Sequence, residues 1–193
     1  MIRAVVFDLD GTVVESAYEW PEIRRRLGAG SLPILSYLEG LAEPERSRKR
    51  AELESIEEEA THKAVLKDGI RELLAFLRQA GLKTALVTNN SGRNVSLLLR
   101  KFNLEFDWVL SRDSGLWKPS GAPLREALDK IQVLPQECCA VGDSPFDVQA
   151  ALEAGIPLVF LIGRKRPAPA EARVQALDSL SELQETLGRL IRG

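Results

Sequence analysis

The chain has 193 residues, of which 45% are hydrophobic and 28% are charged, a composition typical of one globular domain or of one domain with an insertion. Its 26 basic and 28 acidic residues leave a net charge of −2, so no general attraction to nucleic acid or to an anionic membrane is expected. No apolar stretch approaches the roughly 18 residues of a membrane span, and the first residues lack the layout of a signal peptide. The adjacent Cys138 and Cys139 are expected to be reduced thiols, which predicts a cytoplasmic protein.

Apolar runs alternate with helical patterns along most of the chain. Strands are predicted at residues 2–9, 82–88, 107–110, 137–141, 156–162 and 174–177. Apolar residues spaced i, i+3, i+4 and i+7 predict the helices between them, at residues 70–77, 95–102, 124–131, 145–154 and 179–190. Strands that alternate with such helices predict an α/β fold, a parallel sheet with helices on both faces.

Residues 13–67 interrupt this alternation. They contain helical patterns, of which the first includes Trp20, Ile23 and Leu27, and no convincing strand. The stretch is too long for an ordinary loop. It therefore predicts a small helical cap at residues 15–67, inserted after the first strand of a core formed by residues 1–14 and 68–193. Residues 164–172, which include two prolines, are predicted to form a surface loop.

Polar residues follow the predicted strands at their carboxyl ends. They are Asp8, Asp10, Gly11 and Thr12 after the first strand, Thr88, Asn89 and Asn90 after the second, Lys118 beyond the third, and Gly142, Asp143, Ser144 and Asp147 after the fourth. Open parallel sheets bind ligands beyond the carboxyl ends of their strands. These side chains are therefore expected to converge on one site.

The chemistry of these side chains favours phosphoryl transfer. Carboxylates crowded together remain ionised when a cation lies among them, and oxygen ligands without a histidine cluster favour Mg²⁺, which also binds substrate phosphate. A lysine can neutralise phosphate oxygens as a point charge. One aspartate can attack as a nucleophile, through an aspartyl-phosphate, while a second carboxylate two residues away carries the proton.

Four segments of the chain resemble a known family. The segments are VVFDLDGTVVES, ALVTNNS, WKPSGAP and VGDSPFDVQAALEAGI, and they match in order the motifs of haloacid dehalogenase-superfamily phosphatases, in the branch that contains phosphoglycolate phosphatase and β-phosphoglucomutase. The similarity spans essentially the whole chain. It implies a Rossmann-like core, a flap at residues 11–16, and a cap that closes over the site.

The resemblance also implies the activity and its partners. The expected enzyme is a Mg²⁺-dependent phosphatase that hydrolyses a small phosphorylated metabolite. No nucleic-acid or membrane partner is expected, and the chain is expected to be a monomer or a homodimer. The resemblance gives Asp8 the role of nucleophile and Asp10 that of general acid and base. It places Thr88 and the backbone amide of Asn89 on the phosphate, with Lys118 bridging phosphate and nucleophile.

The resemblance implies a metal site as well. Mg²⁺ would be held by the Asp8 carboxylate, the backbone carbonyl of Asp10, and Asp143, with Asp147 acting through water or through another ligand. A structural role for Asp147 stays open beside this one, because Ser-x-x-Asp before a helix resembles a capping box.

Arg24 is a candidate substrate contact in the cap. It falls near one helical face with Trp20 and Leu27, from which it could bind an anionic group of the substrate. The alternative is that Trp20 packs in the core while Arg24 faces solvent.

These residues disfavour some of the competing functions and leave others open. A dehalogenase would not need Asp10, because it releases no alkoxide that must be protonated. A receiver-like signalling domain would lack the cap. A phosphomutase shares every motif, and a non-catalytic phosphate-binding member of the family also stays open.

Overall fold

A computed structural model describes residues 1–163 and 173–192, so the loop predicted at residues 164–172 lies outside the described residues. The chain divides into two compact units, one formed by Met1–Glu15 with Leu66–Gly193 and the other by Ser16–Val65. Within the described ranges, no helix is both long and apolar enough to cross a bilayer.

The helices and strands alternate along most of the chain. The strands are β1 (Ala4–Phe7), β2 (Val14–Glu15), β3 (Val65–Leu66), β4 (Lys83–Val87), β5 (Trp108–Leu110), β6 (Cys138–Gly142), β7 (Leu158–Ile162) and β8 (Arg173–Leu177). The α-helices are α1 (Trp20–Leu27), α2 (Ile34–Glu39), α3 (Glu45–Lys63), α4 (Ile70–Gln79), α5 (Gly92–Phe102), α6 (Ala122–Ile131), α7 (Pro145–Glu153) and α8 (Leu180–Arg192).

The first unit is built on a six-stranded sheet. Its strand order is β5-β4-β1-β6-β7-β8, and every neighbouring pair is parallel. Counting only these six strands along the chain, the order is 3-2-1-4-5-6, that of Rossmann-type sheets. The chain builds β4 and β5 on one side of β1 and then β6 on the other, so the connection changes direction beside β1. The predicted α/β fold is confirmed.

Burial on both faces of the sheet explains its apolar strands. All four residues of β1 are buried, and Ala4 and Val6 pack in one cluster with Leu128 of α6 and Ala151 of α7. Helix α4 buries the four residues that predicted it, since its apolar stripe recurs at helical spacing. The packing of these helices against the sheet fixes the positions of the strand ends, where the polar residues lie.

The second unit contains helices α1, α2 and α3. Its core is formed by Ile23, Leu27, Ile34, Leu38 and Leu53, together with Ala29. Trp20 does not belong to this core: its relative exposure is 43%, and its ring lies 4.6 Å from that of Tyr18. The expectation that Trp20 packs in the core is therefore wrong. Trp20 is the first residue of α1, and its indole contacts the tilted ring of Tyr18 instead of joining Ile23 and Leu27 in the buried stripe of the helix.

The expectation of no strand between residues 13 and 67 is also wrong. Strands β2 and β3 pair with each other in a separate two-stranded sheet. Each is only two residues long, which is too short for the alternation of apolar and polar residues that identifies a strand in a sequence.

Candidate active site

Lys118 contacts two carboxylates at the carboxyl ends of the strands, where the connection between strands changes direction beside β1. Its Nζ donates hydrogen bonds of 2.6 Å to Asp8 Oδ1 and of 2.6 Å to Asp147 Oδ1. Asp8 directly follows β1, and its backbone N–H still bonds to Val141 of β6, at 2.9 Å. The relative exposures of Lys118 and Asp147 are only 5% each. The ends of β1 and β6 and the segment after β5 therefore converge, as the sequence predicted.

Burial and neighbouring charges determine the protonation of these groups. Burial raises the pKa of the Asp8 carboxyl well above its usual range, outweighing the attraction of Lys118, and the charges of Asp147 and Asp10 raise it further. Burial alone would lower the pKa of Lys118, but Asp147 and Asp8 together outweigh burial and hold it above its ordinary value. Lys118 is therefore charged, and further positive charge beside Asp8 would favour its ionised form.

Three carboxylates lie close enough to hold a metal ion. Oxygens of Asp8, Asp143 and Asp147 all lie within 4.8 Å of one another. If all three are ionised, the single ammonium of Lys118 leaves two negative charges uncompensated. Oxygen donors with this net charge fit a divalent cation such as Mg²⁺. The predicted role of the Asp10 carbonyl as a metal ligand stays a prediction.

Asp147 performs two structural tasks at once. While Oδ1 accepts from Lys118, Oδ2 accepts from the Ser144 backbone N–H at 3.0 Å, the Ser144 hydroxyl at 2.6 Å, and the Asp143 backbone N–H at 3.3 Å. These bonds satisfy donors that precede α7, in the manner of a capping carboxylate. The capping role left open by the sequence therefore coexists with the contact to Lys118. A Cβ at Gly142 would lie 2.6 Å from Asp147 Oδ2, so this close approach requires glycine.

Gly11 allows the sharp turn that follows Asp10. Its φ is 85°, in the left-handed region that favours glycine, and its N–H bonds to the Val14 carbonyl at 2.7 Å. A Cβ there would lie 2.6 Å from the carboxyl carbon of Asp143. Backbone conformation and available space therefore both require glycine between the two acidic loops.

The segment after β4 contributes one hydroxyl and two amides. The buried Thr88 accepts from the Asn90 backbone N–H at 3.1 Å, and its hydroxyl carries a hydrogen that can be donated. The Asn89 side chain bonds to both backbone groups of Lys118, at 2.8 Å each. The Asn90 side chain donates to Asp10 Oδ2 at 3.1 Å. Neither side-chain contact could be predicted from the sequence, because no spacing rule links residues so far apart along the chain.

Arg24 lies on α1, in the second unit. It is half-buried, whereas its neighbours Arg25 and Arg26 are more exposed and pair with Glu22 and Glu52. The predicted contact between Arg24 and the substrate stays a prediction.

The chain is similar to known hydrolases along most of its length. A family model described as haloacid dehalogenase-like hydrolase matches residues 2–155. The phosphoglycolate phosphatase of Pseudomonas putida is 30% identical, with 94% of this chain and 78% of the relative covered. That of Nitrosospira multiformis is 33% identical, with 80% of each chain covered. The fold is also similar to the crystal structure of CbbY from Rhodobacter sphaeroides in complex with phosphate, with a TM-score of 0.72. The two sequences are 27% identical, and the match covers 95% of this chain and 96% of that chain.

Proposed function

The chain belongs to the haloacid dehalogenase-like hydrolase family, and from this premise we propose that it is a Mg²⁺-dependent phosphatase that hydrolyses a small phosphomonoester through an aspartyl-phosphate on Asp8. The observation that carries the proposal is the buried group of Asp8, Lys118 and Asp147 with Asp143 beside it. An aspartate nucleophile, a fixed cation and a set of metal-binding oxygens are what phosphoryl transfer by this route needs.

The relatives support a small substrate. Two of them bear the name phosphoglycolate phosphatase, and phosphoglycolate is an alkyl phosphate whose leaving group is an alcohol. We therefore take 2-phosphoglycolate as the first compound to test, within a panel of sugar phosphates and other alkyl phosphates.

Asp8 and Asp10 divide the chemistry in the proposed mechanism. The Asp8 carboxylate attacks phosphorus, so that an Asp8–phosphorus bond forms as the bond between phosphorus and the leaving oxygen breaks. Asp10 gives its proton to that oxygen. A water molecule then attacks phosphorus, Asp10 takes the proton of this water, and phosphate leaves with Asp8 restored.

Charge stabilisation comes from groups that surround Asp8. Lys118 is already charged and fixed beside the nucleophile, so it can stabilise negative charge on the transferring phosphoryl group without reorganisation. The hydroxyl of Thr88 and the backbone N–H of Asn89 are assigned to the phosphate oxygens. Mg²⁺, held by the Asp8 and Asp143 carboxylates and the Asp10 carbonyl, would neutralise phosphate charge when bound.

Phosphate release from a panel of phosphomonoesters tests this proposal. We expect wild type to release inorganic phosphate from at least one compound with Mg²⁺ and not with EDTA, and Asp8→Asn to be inactive. Asp129→Asn, at an exposed position on α6, is the matched control and should retain wild-type activity.

If folded wild type with Mg²⁺ releases no phosphate from any compound, the proposal fails. If Asp8→Asn is as active as wild type, the assigned nucleophile is wrong. A rearranged sugar phosphate as the only product would identify a mutase instead.

A further inference from the structure

Two consecutive asparagines at the end of β4 contact two different catalytic groups. We propose that Asn90 positions the general acid Asp10, whereas Asn89 positions Lys118, so that the adjacent amides serve proton transfer and charge stabilisation separately. The inference rests on the proposed phosphatase function and assigns side-chain roles that the four motifs do not.

The Asn90 amide has only one orientation that satisfies its neighbours. Its Oδ1 accepts from the backbone N–H of Ser91 at 2.8 Å and from the side-chain amide of Asn94 at 3.1 Å. A backbone N–H can only donate, so this side of the amide must be the oxygen. The Nδ2 group therefore faces Asp10 and donates to Oδ2 at 3.1 Å. With a relative exposure of 4%, Asn90 is fixed before substrate arrives.

Asn89 makes a different contact, to the main chain of Lys118. Its Nδ2 donates to the Lys118 carbonyl and its Oδ1 accepts from the Lys118 N–H, both at 2.8 Å. The main chain of Asn89 is held in turn by Arg112, whose Nη1 donates to the Asn89 carbonyl at 3.2 Å. Asn89 thus fixes the backbone from which the ammonium of Lys118 reaches Asp8.

The two contacts have different consequences for catalysis. A general acid must hold its proton within hydrogen-bond reach of the leaving oxygen, and positioning errors of about 1 Å can cost on the order of 100-fold in rate. Loss of the Asn90 amide removes a donor that orients the Asp10 carboxyl, which matters most when the leaving group needs a proton. Loss of the Asn89 amide displaces Lys118, whose charge is needed whatever the leaving group is.

Leaving-group dependence therefore separates the two roles. We would compare kcat/KM for Asn90→Ala, Asn89→Ala and wild type with saturating Mg²⁺. One substrate is the alkyl phosphate that wild type hydrolyses best, and the other is p-nitrophenyl phosphate, whose nitrophenolate leaves without a proton. We expect kcat/KM of Asn90→Ala on the alkyl phosphate to fall by about 30-fold or more. On p-nitrophenyl phosphate, the factor by which kcat/KM falls should be smaller by at least about tenfold. Asn89→Ala should lose activity on both substrates by factors equal within about threefold.

The outcomes distinguish this inference from the proposed function. If wild type hydrolyses neither substrate, the phosphatase proposal itself fails. If wild type is active but Asn90→Ala loses equal factors on both substrates, Asn90 only supports the loop and the inference is wrong. A leaving-group dependence in Asn89→Ala as steep as that in Asn90→Ala would also overturn it. Should Asn90→Ala not fold, Asn94→Ala removes a donor that orients Asn90, and the same criterion applies.

Discussion

The ammonium of Lys118 lies 2.6 Å from the Asp8 carboxylate, although the two residues are 110 positions apart in the chain. The contact joins loops from two different strands, since Asp8 follows the inner strand β1 while Lys118 comes after the edge strand β5. The second hydrogen bond of Lys118, to Asp147, connects it to the segment after β6. One buried charge thus connects three loops, so its removal should affect stability as well as catalysis.

Replacing Lys118 by methionine removes the cation from this group. Breaking a buried ion pair leaves carboxylates without a counter-charge, so we expect Lys118→Met to lose about 3 kcal/mol in free energy of unfolding in EDTA. Mg²⁺ should restore part of that loss. Urea unfolding near neutral pH, with and without Mg²⁺, measures both effects.

The matched control for Lys118→Met is Lys63→Met. Lys63 also lies 2.6 Å from a carboxylate, that of Glu59, but both side chains are exposed. Exposed pairs contribute little to stability, so Lys63→Met should unfold like wild type. Equal midpoints of urea unfolding for Lys118→Met and Lys63→Met in EDTA would contradict the expectation that burial makes the ion pairs of Lys118 important for stability.

Gly142→Ala tests the close approach of Asp147 to β6. A Cβ at position 142 would lie 2.6 Å from Asp147 Oδ2, so the carboxylate must move away from Lys118 and from the start of α7. We expect a loss of about 2 kcal/mol in unfolding free energy, as for other overpacked sites, and a clear fall in kcat. Gly40→Ala is the control, because a Cβ there would lie 3.4 Å from its nearest neighbour, the Tyr37 carbonyl. Wild-type activity in Gly142→Ala would show that Asp147 need not stay in place.

The adjacent thiols of Cys138 and Cys139 predict how stability changes in alkali. Burial raises the pKa of the Cys138 thiol to about 12 and that of Cys139 well above its ordinary value. Thiols in the unfolded chain ionise above about pH 8.5, where those of the native protein keep their protons. The unfolded state therefore binds fewer protons in this window, so the free energy of unfolding should fall as the pH rises.

Urea unfolding between about pH 8 and pH 10 measures this decrease. The double variant Cys138→Ala with Cys139→Ala should lose less stability over the same range, since the other titrating groups are unchanged. A thiol reagent should label neither cysteine in the native protein near pH 8, and both in denaturant. Rapid labelling of the native protein would contradict the burial of these thiols.

Much of the sheet and of the site could be predicted from local sequence. Parallel strands bring their carboxyl ends to one edge, so the alternation of strands and helices predicts Asp8, Lys118 and Asp147 at the same edge of the sheet. The family resemblance and the hydrolase assignment are confirmed by the family model. These predictions succeeded because each depends on a repeated pattern or on a motif of several residues.

What the sequence did not reveal depends on single contacts. Strands β2 and β3 are too short to show a period. The exposure of Trp20 depends on where α1 begins, since Ile23 and Leu27 alone fill the buried stripe. The pairing of Asn90 with Asp10 depends on the donors and acceptors around one amide, among them Ser91 and Asn94, and nothing in local composition distinguishes it from an ordinary polar turn.

Trapping the covalent intermediate tests the central claim most directly. Wild type with Mg²⁺ and its best substrate is quenched in acid during turnover and treated with borohydride, which reduces an aspartyl-phosphate to homoserine with loss of phosphate. Peptide mass spectrometry then locates the homoserine. We predict it at position 8, only in samples that received substrate, with Asp10 unchanged in the same peptide. Homoserine at another aspartate, or none at position 8 while phosphate is being released, would contradict the assignment of Asp8 as the nucleophile.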